Sequence, residues 1–506
     1  MCEQPCQDRL SGRSLLAVSG ALAAAGTLLP GVAFGERPGT EPSGEQTRTV
    51  TGTLRSDVSD WYYLPVDVPG GVREIEVGYS YDRPQVPPGG RGNALDIGIF
   101  SPAGVQLGNQ RGFRGWSGGF RDRFTISAAA ATPGYLPGPI EPGRWHLILG
   151  PYTVAQQGLT YTVDVTLRFG RPDSAFVPNP APASAPGRDR GRAWYRGDGH
   201  LHTVHSDGRR TPAELAAGAR AAGLVFIVST EHNTPSASLQ WGEHAGADLL
   251  IVNGEEVTTR SGHWPAWNLP VGKWIDWRYR AQDRRKLRRF VDEVHRAGGV
   301  AVAAHPFASC FGCSWEYGYE RADLVEVWNG PWTLDDEAAV MSWLGMLRAG
   351  TWVPAVGNSD AHNPEHVVGL PHNVVLAEGL TPRRLMDGFK AGRNWIAESA
   401  QVQVTFGATD GVRLAGMGEA LTTDTGTPVT IELTVSGAPG TSVRLLDQSG
   451  PQWIQPVDPT GSATVKWTTQ TRYSRWVRAE VRRPVATATT PDSMVALTNP
   501  VFLSSR

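Results

Sequence analysis

The sequence is short of cysteine, of net charge and of long apolar runs. Cysteine occurs four times, at Cys2, Cys6, Cys310 and Cys313, and none lies in the histidine-rich stretch around residue 200. That argues against a cysteine-built structural zinc finger there. The 47 basic and 49 acidic residues leave a formal net charge of −2 with no excess of basic charge, so there is no nucleic-acid signature and no general membrane-surface binder. Apart from an uncharged stretch from Ser14 to Phe34, no segment is long and apolar enough to span a bilayer. No internal repeat is visible. A chain of 506 residues is too long for one core, and about three domains are expected.

The uncharged stretch follows Arg9 and Arg13 and ends in the small residues of Val32-Ala33-Phe34-Gly35. This is the pattern of a secretory signal peptide over residues 1–35, implying export to the periplasm or the medium. Arg13-Ser14-Leu15-Leu16 resembles a twin-arginine signal, but Gly12 stands where the paired arginine belongs. Sec export and a degenerate Tat-like route both stay open. An uncleaved anchor is the alternative, and Pro30 with the many Ala and Gly would make it a poor span.

Residues 36–48 are polar and turn-rich and read as a spacer. From 49 to 170 the period becomes two, as in Glu74-Ile75-Glu76-Val77, Leu95 to Ile99, Trp145 to Leu149 and Tyr161 to Val165. Pro and Gly clusters separate these runs, which predicts an N-terminal β-sandwich. Its Trp and Tyr residues offer a glycan or protein contact. Residues 171–192 are Pro-rich and read as a stiff linker. Between 193 and 400 strands and helices alternate. Thr211-Pro212-Ala213-Glu214 is a helix start with N-cap, N1 proline and capping-box Glu, and Gly223 ends that helix. Further helices are expected over 284–297, 334–349 and 382–391. Strands are expected over 224–228, 249–252, 300–304, 324–328, 352–356 and 374–376. Strand–helix alternation implies parallel strands in a TIM-like barrel or an open sheet. From 401 to 506 the period returns to two, predicting a C-terminal Ig-like β-sandwich.

Eleven of the twelve histidines fall between His200 and His372. His200 and His202 alternate along an extended segment, so both imidazoles face one side and can grip one cation. Asp207 follows in a loop able to fold back. His232 lies just past Phe226-Ile227-Val228; Glu255 and Glu256 follow Leu249 to Val252, with His263 in the ensuing loop. His305 ends Val300 to Ala304, and Asp360-Ala361-His362 follows Trp352 to Val356. Each candidate is delivered at the carboxyl end of an apolar strand, the rim on which catalytic groups converge in a (β/α) barrel. Imidazole and carboxylate together suit zinc, manganese or iron.

As an ordered set, Gly-Asp-x-His-x-His-Thr with Ser206-Asp207-Gly208, Thr230-Glu231-His232-Asn233, Gly254-Glu255-Glu256, Gly262-His263, His305-Pro306, Glu326-Val327-Trp328-Asn329-Gly330 and Ser359-Asp360-Ala361-His362 resembles the PHP (polymerase and histidinol phosphatase) superfamily. Within it the chain is most similar to the exported CehA/McbA-like metallohydrolases. The resemblance covers residues 193–400 and implies an α/β fold, a distorted (β/α)7 barrel flanked here by the two β-sandwiches, with a trinuclear site at the strand ends. It implies that His200, His202, Glu256 and Asp360 hold one metal. Glu256 would bridge to a second, completed by His263 and His305, and Asp207, His232 and His362 would hold a third. Glu255 competes for the bridging role, but the family's Gly-x-Glu spacing favours Glu256. Glu231 replaces the usual Asp, and His205 stands where the family has no ligand.

The chemistry expected is hydrolysis by a metal-activated water held by Glu256, His263 and Asp360, with two to three divalent ions (Zn, Mn or Fe) as cofactor. No convincing Ser or Cys triad competes with it. His205, Arg209 and Asn329 are candidate substrate contacts. The resemblance favours a small-molecule phosphoester substrate. Carbamate or carboxyl-ester hydrolysis in the same branch and a non-catalytic metal-binding scaffold remain the alternatives. Cys310 and Cys313 form either a disulfide stiffening the rim loop or two free thiols.

Overall fold

The computed structural model describes residues 32–33, 44–485 and 491–506. Apart from Val32–Ala33, the signal-peptide reading and residues 36–43 of the expected spacer lie outside the described residues. The chain divides after Val177 into two units.

In the first unit, Gly44–Leu54, Leu159–Phe169, Val72–Tyr81 and Arg123–Ser127 form one sheet in that spatial order. Tyr62–Val68, Gly143–Thr153, Ala94–Phe100 and Phe113–Gly118 form the other, with Val32–Ala33 pairing in parallel beside Tyr62–Val68. Alternate residues Leu159, Tyr161, Val163, Val165 and Leu167 turn inward and meet Leu64, Val66, Ile97 and Leu147 in one core. This is a β-sandwich. Burial of each such aliphatic side chain contributes about 1.5–3 kcal/mol. The first strand starts at Gly44, inside the stretch read as spacer, and pairs with Leu159–Phe169 along its whole length. Its first residues carry no period-two signal because it is an edge strand whose side chains are nearly all solvated.

In the second unit the strands leading to the site are β1 (Ala193–Asp198), β2 (Phe226–Ser229), β3 (Leu250–Thr259), β4 (Gly262–Trp267), β5 (Val300–Ala303), β6 (Leu324–Asn329), β7 (Ala355–Asn358), β8 (His372–Ala377) and β9 (Asn394–Ala397). The helices are α1 (Pro212–Ala221), α2 (Arg284–Arg296), α3 (Leu334–Arg348) and α4 (Pro382–Lys390). The strand order is β7-β6-β5-β4-β3-β2-β1-β8-β9. Neighbours are parallel within β1-β2-β3 and within β5-β6-β7, and antiparallel at β3-β4, β4-β5, β1-β8 and β8-β9. This mixed sheet with four α-helices among the described residues is not the helix-per-strand pattern expected of a (β/α)7 barrel. The physical reason is local. β3 and β4 form a hairpin, which needs no crossover helix. The chain after β2 makes only two short 3₁₀ turns, at Ser236–Leu239 and Trp241–Glu243, next to Pro235 and Gly242.

The ends of this strand order are brought together by side-chain amides rather than by a backbone ladder. Asn373 Oδ1 accepts from Gly357 N at 3.1 Å, and Asn373 Nδ2 donates to Gly357 O at 2.8 Å and to Asn358 Oδ1 at 2.9 Å. Asn394 Nδ2 donates to Ala355 O at 2.9 Å. Asn499 also accepts from Ala355 N and donates to Ala355 O, and all four asparagines of this seam are buried, so the amides of Asn373, Asn394 and Asn499 substitute for a strand partner that β7 lacks.

Helix punctuation follows the sequence. Glu214 Oε2 accepts from Thr211 N at 2.7 Å and Thr211 Oγ1 accepts from Glu214 N at 3.2 Å, closing the capping box of α1. Asp336 reaches back to Thr333 N and Oγ1 at the start of α3, and its Oδ1 accepts from Asn329 N at 2.8 Å, tying α3 to the end of β6. The linker reading ends early. Asn179 N donates to Leu239 O at 2.8 Å and Ala185 is fully buried against the core around Tyr195 and Phe226, because its small side chains can pack where longer ones could not.

Beyond β9 the same sheet continues: Trp395–Ala397 pairs with 496–498, which leads to Trp476–Arg483, Ser442–Asp447 and Gly450–Pro456. A second sheet of Leu414–Gly416, Gln403–Thr409, Val429–Ser436 and Ala463–Thr469 packs over it, with Val404, Ile431, Leu433 and Val465 meeting Val443, Leu445, Ala479 and Val481. A buried ion network joins this region to α3. Glu480 accepts from Arg478 at 2.7 Å and from Arg482 at 2.8 Å, and Arg482 also reaches Glu337 at 2.6 Å. Burial opposes ionisation of Glu480, but Arg478 and Arg482 outweigh it and hold the carboxyl down at about 2. Such a depressed group stabilises the fold above the ordinary Glu range and loses that contribution as pH falls toward 2. About 3 kcal/mol of acid-sensitive stability is expected from it. Denaturant melts between pH 5 and pH 2.5 should therefore show a shallower loss in Glu480→Gln than in the parent. No helix among the described residues is long and apolar enough to cross a membrane.

Candidate metal centre

The site is assembled where β1, β2, β5 and β7 end, beside the hairpin of β3 and β4 that carries Glu256 and His263. After β1 the chain stays extended, so Leu201 turns into the apolar cluster of Leu215, Ile227 and Ile251 while His200 and His202 turn the other way. Their Nε2 atoms stand 3.3 and 3.0 Å from Asp360 Oδ1. The chain then turns through Thr203–Ser206, with Ser206 N donating to Thr203 O at 3.0 Å. At Gly208 a Cβ would lie 2.5 Å from the His202 carbonyl, so only glycine lets this turn fold back on itself. That fold delivers Asp207 Oδ1 to within 3.4 Å of His232 Nε2 and 3.3 Å of His362 Nε2.

Glu256 is the centre of the cluster. Its Oε2 lies 3.2 Å from His200, 3.4 Å from His202 and 2.8 Å from His232, and its Oε1 lies 3.1 Å from His263 and 3.3 Å from His305. One carboxylate thus faces two histidine sets with its two oxygens. Four overlapping groups have ligand atoms within 4.8 Å of one another: His202-Asp207-His232-His362, His200-His305-Asp360, His200-His202-Glu256 and Glu256-His263-His305. All nine residues expected as ligands are brought together, and His202 joins the Asp207 group as well. His263 sits on β4, not in a loop as expected, because the hairpin carries it back beside Glu256. Glu255 points to the opposite face, where its Oε2 accepts from Ile275 N at 2.9 Å.

The donor set fits divalent cations. His200 Nε2, His202 Nε2, His263 Nε2, Glu256 Oε2 and Asp360 Oδ1 are buried and meet no hydrogen-bond partner of good geometry. Leaving such atoms unpaired is costly unless a cation takes them. Burial opposes ionisation of Glu256, Asp207 and Asp360, but the surrounding histidines outweigh it and hold all three well below the usual carboxylate range. Burial pushes His202 down to about 3, with His362 and His232 adding to it, and pushes His263 down to about 4. Both are neutral ligands at any physiological pH. Burial also disfavours the charged form of His362, yet Asp207 and Asp360 raise it to about 9. Cations and protons therefore compete for the same sites, and metal uptake should release protons. Backbone strain collects here too. Three of the four non-glycine residues with positive φ among those described are Asn233, His305 and Asp360, at 55°, 24° and 47°.

A ring of buried carboxylates orients the ligands. Glu326 lies 3.2 Å from His200 Nδ1 and accepts from His305 N at 2.9 Å, Asn358 Nδ2 at 2.8 Å and Asn329 Nδ2 at 2.9 Å. Asp198 accepts from Ser359 Oγ at 2.5 Å, Ser359 N at 3.1 Å and Gly369 N at 3.0 Å, joining the end of β1 to the segment bearing Asp360 and His362. Glu231 accepts from Thr203 N, Thr203 Oγ1 and Ser206 Oγ and so holds the turn after His202. Neither Glu326 nor Asp198 was given a role from the sequence. The signal for Glu326 was there: a carboxylate inside an apolar strand must be paired. Glu326→Gln should weaken metal retention about 10–100-fold, read by chelator competition, with the circular dichroism unchanged.

The three candidate substrate contacts are placed differently. Asn329 Nδ2 also donates to Asp360 Oδ2 at 3.3 Å, at the edge of the cluster. Arg209 is exposed, and its backbone N–H donates to His362 O at 2.8 Å. His205 is buried, with Nδ1 2.9 Å from Ser236 Oγ. His372, last of the histidine run, is structural. Burial lowers it to about 4, Nδ1 meets Gly369 O at 2.8 Å, and Nε2 meets Arg196 at 2.8 Å.

No family model matches the chain, and no curated protein matches it. Among solved structures it is similar to a two-domain protein from Bacteroides vulgatus containing a predicted PHP-like metal-dependent phosphoesterase, with 14% identity over 66% of this chain and 100% of that one, at a TM-score of 0.34. It is also similar to an amidohydrolase from Chromobacterium violaceum, with 20% identity over 34% of this chain and 89% of that one, at a TM-score of 0.26. A Bifidobacterium adolescentis protein assigned as a metal-dependent phosphoesterase shares 19% identity over 37% of this chain and 92% of that one, at a TM-score of 0.24. Likenesses this low leave the functional argument on the residues of the site.

Proposed function

We propose that the protein is an exported metal-dependent hydrolase of the PHP type, in its CehA/McbA-like branch, acting on phosphoesters. The observation that carries this reading is Glu256: one buried carboxylate set among five histidines, with two more carboxylates and His362 completing the cluster. Divalent ions held there would supply Lewis acidity and acidify a water to near neutrality. Glu256, His263 and Asp360 would orient that water, and their neighbours fix them. Thr258 Oγ1, 2.6 Å from His232 Nδ1, sets the ring of His232, and Glu326 sets that of His200. Asn329 donates to both Glu326 and Asp360, and so holds the Asp360 carboxylate in place beside the cluster. A site built to gather positive charge suits an anionic phosphoester better than a neutral ester. The distorted (β/α)7 barrel is the finer description we favour for the sheet whose ends the asparagine seam joins.

The test is a screen of metal-reconstituted protein against phosphomonoesters, phosphodiesters and aryl carbamates. Phosphoester turnover that a strong chelator abolishes is the expected result. Faster carbamate turnover would transfer the reading to the carbamate and carboxyl-ester alternative. Bound metal with no turnover of any class would leave a scaffold. Export predicts a mature chain beginning near Glu36, read by N-terminal sequencing; an intact N-terminus on membrane-bound protein contradicts it.

A further inference from the structure

We propose that the Cys310–Cys313 disulfide is a positioning element for the His263 and His305 side of the centre, which makes metal retention there sensitive to thiols. The inference rests on the metal-centre reading above. The two cysteines are bonded to each other and lie in the segment that leaves β5 through His305. This segment is strapped across the tip of the β3–β4 hairpin. Gly262 N donates to Gly312 O at 2.9 Å, Glu316 N donates to Ser261 O at 3.0 Å, and Tyr317 and Thr259 share a hydroxyl contact of 2.8 Å. Gly262, at φ 115°, would carry a Cβ 2.9 Å from Trp315 Cα, so strap and hairpin are in backbone contact there. The strap is closed on itself by Cys313 N to Cys310 O at 3.2 Å and Trp315 N to Pro306 O at 3.1 Å.

Both histidines of the Glu256-His263-His305 group adjoin the strap: His263, on β4, follows Gly262 directly, and His305 precedes Pro306. His305 holds a φ of 24°, a conformation its own chain does not favour and its surroundings must impose. The disulfide closes the 310–313 turn that presents Gly312 O to Gly262 N, and without it that turn and the strap around it regain conformational freedom. The bond is accessible from one side only. Cys310 is partly exposed and Cys313 is buried. A dithiol therefore attacks Cys310 Sγ. The sulfur–sulfur bond breaks, and Cys313 Sγ leaves with the electron pair and takes a proton. The reagent's second thiol then displaces Cys310 Sγ, which takes the other proton, and the reagent departs as its own disulfide.

The experiment compares the full chain, the Cys310→Ser/Cys313→Ser variant, and parent protein reduced with a dithiol and freed of reagent by anaerobic gel filtration. Zinc retention is read by competition with a chromophoric chelator, alongside melting of the metal-free forms. In both opened forms, one zinc equivalent should be held at least ~10-fold more weakly while the rest keep parental affinity, and reoxidation of the reduced protein should restore it. Equal retention in all three forms overturns the proposal. So does a parallel weakening of every equivalent with a lowered melt, which marks a bond of general structural value. A parent protein that binds no zinc would instead overturn the metal-centre reading itself.

Discussion

Glu256→Gln is expected to collapse turnover by at least ~100-fold and to lower the metal content of the purified protein. The amide keeps the shape of the side chain but removes the charge that faces five imidazoles, and any cations gathered there repel one another with less to offset them. The control is its neighbour. Glu255 points away from the cluster, and burial pushes its carboxyl well above the ordinary range, with Asp276 adding to the rise and the Ile275 N–H and Lys273 opposing it. Glutamine mimics that neutral acid and can still accept from Ile275 N. Glu255→Gln should therefore keep its metal and most of its rate. Elemental analysis and steady-state kinetics on both variants decide the matter. Metal lost from the Glu255 variant and kept by the Glu256 variant would reverse the assignment.

Asp207→Asn is the second large effect. Asp207 is the single carboxylate in its group with His202, His232 and His362. Without it a cation there would meet three imidazoles and no anionic charge, and His362 loses the first of the two carboxylates that raise it to about 9. One ion per chain should be lost while the Glu256-centred ions stay, and turnover should fall about 100-fold through misplacement of the reacting groups. Metal stoichiometry separates this from unfolding. Loss of every ion together would mean that Asp207 supports the whole rim rather than one group.

These residues were legible because the chemistry sits where apolar strands stop. His232, His305 and Asp360 each follow a short run of buried residues, and His200 and His202 alternate about Leu201, which the core claims. What was not legible is equally physical. β3 continues beyond Val252 through two buried carboxylates, so the apolar period breaks in mid-strand. Gly262–Trp267 is buried at every residue and contains a proline, so it shows no alternation and reads as a loop. That hairpin turned an expected parallel α/β succession into a mixed sheet. The roles of Asp198 and Glu326 were hidden for another reason: a carboxylate that holds a ligand is distinguishable from one that is a ligand only by distance.

In the proposed function, hydrolysis depends on a polynuclear metal centre formed by His200, His202, Asp207, His232, Glu256, His263, His305, Asp360 and His362. Its most direct test is elemental analysis of chelator-stripped protein titrated back with zinc or manganese, with phosphoester turnover followed at each addition. Uptake of about two to three ions per chain is expected, with activity absent at zero occupancy and rising as the sites fill. Full activity in the stripped protein, or saturation with no ion retained, would contradict it.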